Sequence, residues 1–124
     1  MSDLDRIQAL TCWQGEISAE PLGGGITNVN YLVRDQHTIY VVRLGDDIAR
    51  HHVMRFNELA ASRAAHAAGL SPAVVHAEPG VTVLEFIQSR TLSEADVRAP
   101  EMLTRLLPLI KTCHRDMPGH FRGP

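Results

Sequence analysis

Four groups of residues could do chemistry. The first is the run Gly23-Gly24-Gly25-Ile26-Thr27-Asn28-Val29-Asn30. Glycine admits positive φ and lets a backbone approach a ligand closely. Successive N–H groups in such a loop can cradle phosphate oxygens, although a plain hairpin turn uses the same composition. The phosphate-loop pattern G-x-x-x-x-G-K-[ST] is absent, and G-x-G-x-x-G is not completed because Asn28 stands at the third glycine position. A strand is expected after the loop where a dinucleotide site needs a helix, so a dinucleotide site is not expected here.

The second group is Arg43, set in the apolar run Tyr40-Val41-Val42-Arg43-Leu44. Side chains alternate along a strand, so Arg43 shares a face with Val41. A cation there needs a carboxylate or an anionic ligand, since burying it alone is costly. Its planar guanidinium suits phosphate or carboxylate in a two-pronged grip; an edge-strand arginine in water is the plainer alternative. The third is Glu58, in an alanine-rich segment where it could reach Arg43 on a neighbouring strand. A solvated Glu58 paired with Arg55 one turn back, worth only tenths of a kcal/mol, is the plainer reading of this residue alone. The fourth is Leu84-Glu85-Phe86-Ile87-Gln88-Ser89, an apolar strand running into a short linker. Such a segment offers backbone donors and acceptors to a flat ring, or is simply an inner strand.

Other combinations carry less. His114-Arg115-Asp116 imitates a kinase catalytic loop, but that pattern needs an Asn five residues after the Asp, and position 121 is Phe. No D-F-G follows. At a helix end, His and Arg favour the C-terminal dipole. The seven histidines form no dense ligand set, so no metal site is expected within these residues. Cys12 and Cys113 lie far apart in no C-x-x-C or zinc spacing, as for reduced thiols in a cytoplasmic protein. With 12 Lys plus Arg against 14 Asp plus Glu, the net charge of −2 lacks the basic footprint of a nucleic-acid binder. The first twenty residues fit no signal peptide, and no apolar run approaches the roughly 18 residues that span a bilayer. Neither nucleic acid nor membrane insertion is therefore expected.

The elements that must position these residues follow from local signals. Ser2 or Asp3 can cap a short helix over residues 3–10. An extended segment begins near Ile17, and residues 26–34 and 38–45 read as strands around an Asp35-Gln36-His37 turn. Residues 53–68 are the clearest helix, with Phe56, Leu59, Ala60, Ala64 and Ala67 on one face and Gly69 as its stop. Residues 73–77 and 81–87 read as strands about a Glu78-Pro79-Gly80 turn. Ser93 can cap a brief helix, and Pro100 suits the first position of another running to about Arg115, kinked or split at Pro108.

This order predicts an α+β fold: a five-stranded antiparallel sheet with one packed helix between its third and fourth strands. It is the order of a protein-kinase-like N-lobe followed by a hinge and the start of a helical C-lobe. The expected division is a lobe over residues 1–87, a hinge over 88–92, and the first C-lobe helices over 93–124. Residues 117–124 close no element, so the chain is expected to be a fragment of a longer protein.

Taken together, Gly-Gly-Gly-Ile-Thr-Asn-Val-Asn-Tyr-Leu-Val, Tyr-Val-Val-Arg-Leu-Gly, Asn57-Glu58, Gly69-Leu70-Ser71-Pro72 and Val83-Leu84-Glu85-Phe86-Ile87 resemble the choline/ethanolamine kinase family, in its bacterial choline kinase-like branch. That family belongs to the aminoglycoside phosphotransferase superfamily. The resemblance covers about residues 15–115. It implies that Gly23, Gly24, Gly25, Thr27 and Asn28 form a phosphate-covering loop, that Arg43 holds ATP phosphates, and that Glu58 orients Arg43. It implies that Glu85, Phe86 and Ile87 form the hinge strand against adenine, and that His114 belongs to a helix end where Cys113 stands in place of the commoner Leu. The implied partners are ATP and a small amino alcohol, with Mg²⁺ held by residues beyond Pro124. The family's catalytic Asp and Asn, in an H-x-D-x-x-x-x-N segment, also lie beyond Pro124, so these 124 residues alone are expected to be inactive. A non-catalytic nucleotide-binding module, as in a pseudokinase, or another kinase of the same superfamily, is the alternative.

Overall fold

The computed structural model describes residues 2–23, 28–46 and 55–119. Among the described residues nine elements follow one another: α1 (Asp3–Gln8), β1 (Ser18–Leu22), β2 (Val29–Arg34), β3 (Ile39–Leu44), α2 (Arg55–Ala67), β4 (Val74–Glu78), β5 (Val81–Glu85), α3 (Glu94–Arg98) and α4 (Pro100–Asp116). The five strands form one antiparallel sheet in the order β1-β2-β3-β5-β4. The fold is α+β, as expected, with β3 at the centre and α2 inserted before the last hairpin.

Local signals account for most boundaries. Ser2 and Asp5 make a reciprocal capping box on α1, and Ser93 and Asp96 do the same on α3. At the β2–β3 turn, both Asp35 carboxylate oxygens are used: Oδ1 accepts from the His37 and Thr38 amides, and Oδ2 from the Gln14 amide. These bonds hold the Asp35 carboxyl below its ordinary value of 3.8. Helix α2 ends on Gly69, whose φ of +78° suits glycine. The Gly69 amide bonds to the His66 carbonyl and the Leu70 amide to that of Ala65, which closes the helix.

Alternation along the strands gives the sheet two faces. One carries Tyr31 and Val33, Tyr40, Val42 and Leu44, and Val81 and Val83, in register as Tyr31↔Val42↔Val83 and Leu44↔Val81. Ile7 and Leu10, from α1 and the turn after it, bury against this face and complete the core. Trp13 packs beside them, its ring centroid 5.3 Å from that of Tyr40 and its Nε1–H donated to the Ile7 carbonyl at 2.7 Å. The Tyr31 hydroxyl donates to Asp3 at 3.2 Å. Partial burial, and then this bond, push its pKa above the ordinary 10.0.

Three expectations are corrected. The helix expected over 53–68 places Phe56, Leu59, Ala60, Ala64 and Ala67 on one face, but only Leu59, Ala60 and Ala64 are half-buried, Ala67 is exposed, Phe56 is 54% exposed and no residue of α2 is fully buried. The apolar face of the sheet is covered by α1 and the segment after it, while α2 lies along the β4 edge with small alanine side chains that remove little area from water. Positions 53 and 54 lie outside the described residues. The strand over 81–87 stops at Glu85; the Phe86 amide makes one last bond to the Ile39 carbonyl at 3.3 Å, and Ile87 is 52% exposed. Of the two outcomes expected at Pro108, a split does not occur: α4 is one continuous helix from Pro100 to Asp116, the ring costing it the bond to the Thr104 carbonyl.

Candidate functional site

The second face of the sheet carries Asn30, Arg43 and Thr82 in one cross-strand row, and Leu32, Val41 and Leu84 in the next. Arg43 lies on the central strand, which removes the edge-strand alternative. Helix α2 brings Glu58 over this row. The Arg43 Nη1 donates to Glu58 Oε1 at 3.0 Å, and the Arg43 Nε to Asn30 Oδ1 at 3.4 Å. Asn28 Nδ2 donates to the same Glu58 oxygen at 3.4 Å. Arg55 Nη1 takes the other oxygen, Glu58 Oε2. Both alternatives for Glu58 thus hold together: it pairs with Arg55 three residues back and with Arg43 across to the sheet.

Side chains of Arg43 and Glu58 are 33% and 28% exposed. Water screens such a pair, so its worth lies nearer a surface ion pair's ~0–1 kcal/mol than a buried one's. Its consequence is geometric. Of the five N–H donors on a guanidinium, the Arg43 bonds among the described residues, to Glu58 and Asn30, engage only part. A cavity of about 710 Å³ opens beside Arg43 and Glu58, between α2 and the β4–β5 turn. That volume is within the ~300–1,000 Å³ of small-ligand pockets.

The other expected site residues fall in two places. Gly24, Gly25 and Thr27 lie outside the described residues. Gly23 is exposed, and a Cβ there would meet nothing within 4 Å. Glu85, Phe86 and Ile87 are not gathered with Arg43. Glu85 pairs with Tyr40, three positions along β3 from Arg43, or about 10 Å at ~3.3 Å per residue. The Glu85 carboxylate accepts from the Ala73 amide at 2.8 Å. The Phe86 amide is spent on the sheet, and the Ile87 carbonyl accepts from the Ser89 hydroxyl at 3.2 Å. His114-Arg115-Asp116 forms the last turn of α4, where Arg115 bonds its neighbour Asp116 at 2.8 Å and 3.0 Å.

Two members of the cluster escaped the sequence reading. Asn30 was part of the glycine-rich run without a role; the signal was its place at the start of the strand, on the face it shares with Leu32. Arg55 entered only as a competing partner for Glu58. Among the described residues no group of three or more His, Cys, Asp or Glu side chains could hold a metal ion, and no helix is long and apolar enough to cross a membrane.

No protein-family model matches this chain, and no curated protein matches it by sequence. Among solved structures it is similar to an ethanolamine kinase from Plasmodium vivax, with a TM-score of 0.69 and 18% identity over 94% of this chain. The chain spans 29% of the length of that kinase. The likeness is one of fold, and the fold is kinase-like.

Proposed function

We propose that this chain is the ATP-binding lobe of a small-molecule kinase whose whole form transfers the γ-phosphate of ATP to the hydroxyl of choline, ethanolamine or a similar small alcohol. The observation that carries the reading is the Arg43–Glu58 pair, 3.0 Å apart between the central strand and α2. An arginine held by a carboxylate on an otherwise apolar strand face suits phosphate oxygens. The same face continues from Arg43 through Val41, flanked by Leu32 and Leu84, toward the end of β5, where alternation turns the Glu85 side chain to the other face, opposite Tyr40, and leaves the backbone beyond it to border a ring. This apolar strip of roughly 10 Å suits a flat ring bound between the phosphate grip and the hinge. The residues fit the nucleotide on both counts.

In this reading Gly23 to Asn28 cover the phosphates, Arg43 grips them, Glu58 and Asn30 orient Arg43, and Glu85 to Ile87 border the adenine. Residues 1–87 are the lobe, 88–92 the hinge, and 93–124 the first helices of the second lobe. Magnesium neutralises phosphate charge when bound; its ligands, the catalytic Asp and the amino-alcohol pocket are assigned to sequence beyond Pro124. The reading belongs to a cytoplasmic enzyme.

Phosphorylation of choline and ethanolamine by the full-length gene product tests this. Turnover with either alcohol and ATP is expected, and none from residues 1–124 alone. ATP binding by the full-length protein without turnover on any small alcohol would favour the non-catalytic module. Failure to bind ATP at all would overturn the reading.

A further inference from the structure

Arg55 sits in a prepared place. Its Nε donates to the Asp46 carbonyl at 2.9 Å, just past the end of β3, while its Nη1 holds Glu58 Oε2. At 15% exposure it is better shielded than the 33% of Arg43 or the 28% of Glu58. Gly45 makes the room: a Cβ there would stand 2.6 Å from the Arg55 Nη2 and 3.1 Å from the Asn28 Cβ. Gly45 is not among the glycines with positive φ, so the backbone does not require glycine at this position and the space does. One carboxylate is therefore divided between two guanidiniums, one anchored to the strand end and the other facing the cavity. An i,i+3 ion pair by itself is worth only tenths of a kcal/mol. The second anchor at Asp46 converts this pair into a brace that fixes where Glu58 points.

We infer that Arg55 is a positioning residue: it locks Glu58 in the rotamer that orients Arg43, and so prepares Arg43 for the phosphates of a nucleotide. This rests on the nucleotide-binding reading above. The test is calorimetric titration of the full-length protein with a non-hydrolysable ATP analogue plus magnesium, and separately with adenosine, which lacks phosphates. Arg55→Ala is expected to weaken the triphosphate analogue about three- to tenfold and to leave adenosine unchanged. Arg55→Lys recovers part of the loss, since the charge returns without the two-pronged geometry. Gly45→Ala, which displaces the guanidinium without touching its charge but also crowds the Asn28 Cβ, is expected to lose at least as much as Arg55→Ala and stands in for it should Arg55→Ala not fold. In an Arg43→Ala background the Arg55 substitution adds nothing, because its effect passes through Arg43. Equal losses for adenosine and triphosphate, or a full additional loss in the Arg43→Ala background, would reduce Arg55 to a structural brace and overturn the inference. Triphosphate binding weakened by Arg43→Ala but untouched by both Arg55→Ala and Gly45→Ala would overturn it while leaving the nucleotide reading intact. Triphosphate binding untouched by Arg43→Ala would overturn the nucleotide reading itself.

Discussion

One face of the sheet presents Val33, Val42 and Val83, all fully buried, to Ile7 of α1, itself fully buried. The other carries Asn30, Arg43 and Thr82 in one row, and Arg43 and Thr82 line a cavity that α2 borders without fully burying any of its own residues. The same strands build both faces, and alternation lets the two evolve different tasks. Burial of aliphatic area on the α1 side supplies the stability. The α2 side keeps its charges partly in water, where they cost little to hold and remain available to a ligand. Substitutions on the first face should therefore change unfolding, and those on the second should change binding.

The largest effect expected is from Ile7→Ala. Removing this side chain from the core should cost about 2–5 kcal/mol, a large share of the ~5–15 kcal/mol that stabilises a typical domain. Denaturant unfolding measures it. A loss below 1 kcal/mol would mean that α1 is an ornament on the sheet and that the comparison of faces is wrong.

Arg43→Ala should separate the faces most sharply. Losing one charge-assisted phosphate contact corresponds to roughly 1.5–3 kcal/mol, or about ten- to a hundredfold in ATP affinity, with the denaturation midpoint nearly unchanged. Glu58→Ala should cost less, because Arg43 keeps its charge and loses only its orientation. ATP titration alongside unfolding of each variant checks this, and unchanged affinity in a folded Arg43→Ala protein would remove Arg43 from the site.

The smallest effect concerns Asp35, at the far end of the β2–β3 hairpin. Its folded pKa lies below the ordinary 3.8, chiefly through the amides of His37 and Thr38. The unfolded chain therefore takes up this proton first as pH falls, so the Asp35 contribution is complete above 3.8 and lost below it. Asp35→Asn should flatten the acid limb of the melting temperature against pH while leaving ATP affinity at neutral pH unchanged. A binding change would show that the hairpin end communicates with the site.

Much of the fold was legible because short-range chemistry decides it. The Ser2 and Ser93 caps, the glycine stop at Gly69, the Asp35 turn and the period-two pattern of β2 and β3 all act within a few residues of themselves. The order of elements then led to a kinase-like lobe. The misread parts depended on partners distant in sequence. An alanine-rich segment with Phe56 and Leu59 at helical spacing has the pattern of a core helix, and nothing local reveals that Ile7 and Leu10 take the better face of the sheet. The end of β5 was misjudged by two residues because Phe86 and Ile87 are as strand-forming as their neighbours, and only the reach of Ile39 on β3 limits the ladder.

Local pattern was enough to single out the candidate side chains and the kind of ligand each would suit. An arginine within an apolar strand either faces water or needs an anionic partner, because an unpaired buried cation is costly. Tertiary structure alone decided which anion meets it. The approach of Glu58 to Arg43, the sharing of that carboxylate with Arg55, and the notch left by Gly45 depend on how α2 crosses from the end of β3 to the edge at β4. Hydrogen bonds act over about 3 Å, and no spacing rule along the chain specifies a crossing to that precision; it is set by the packing of all the elements at once.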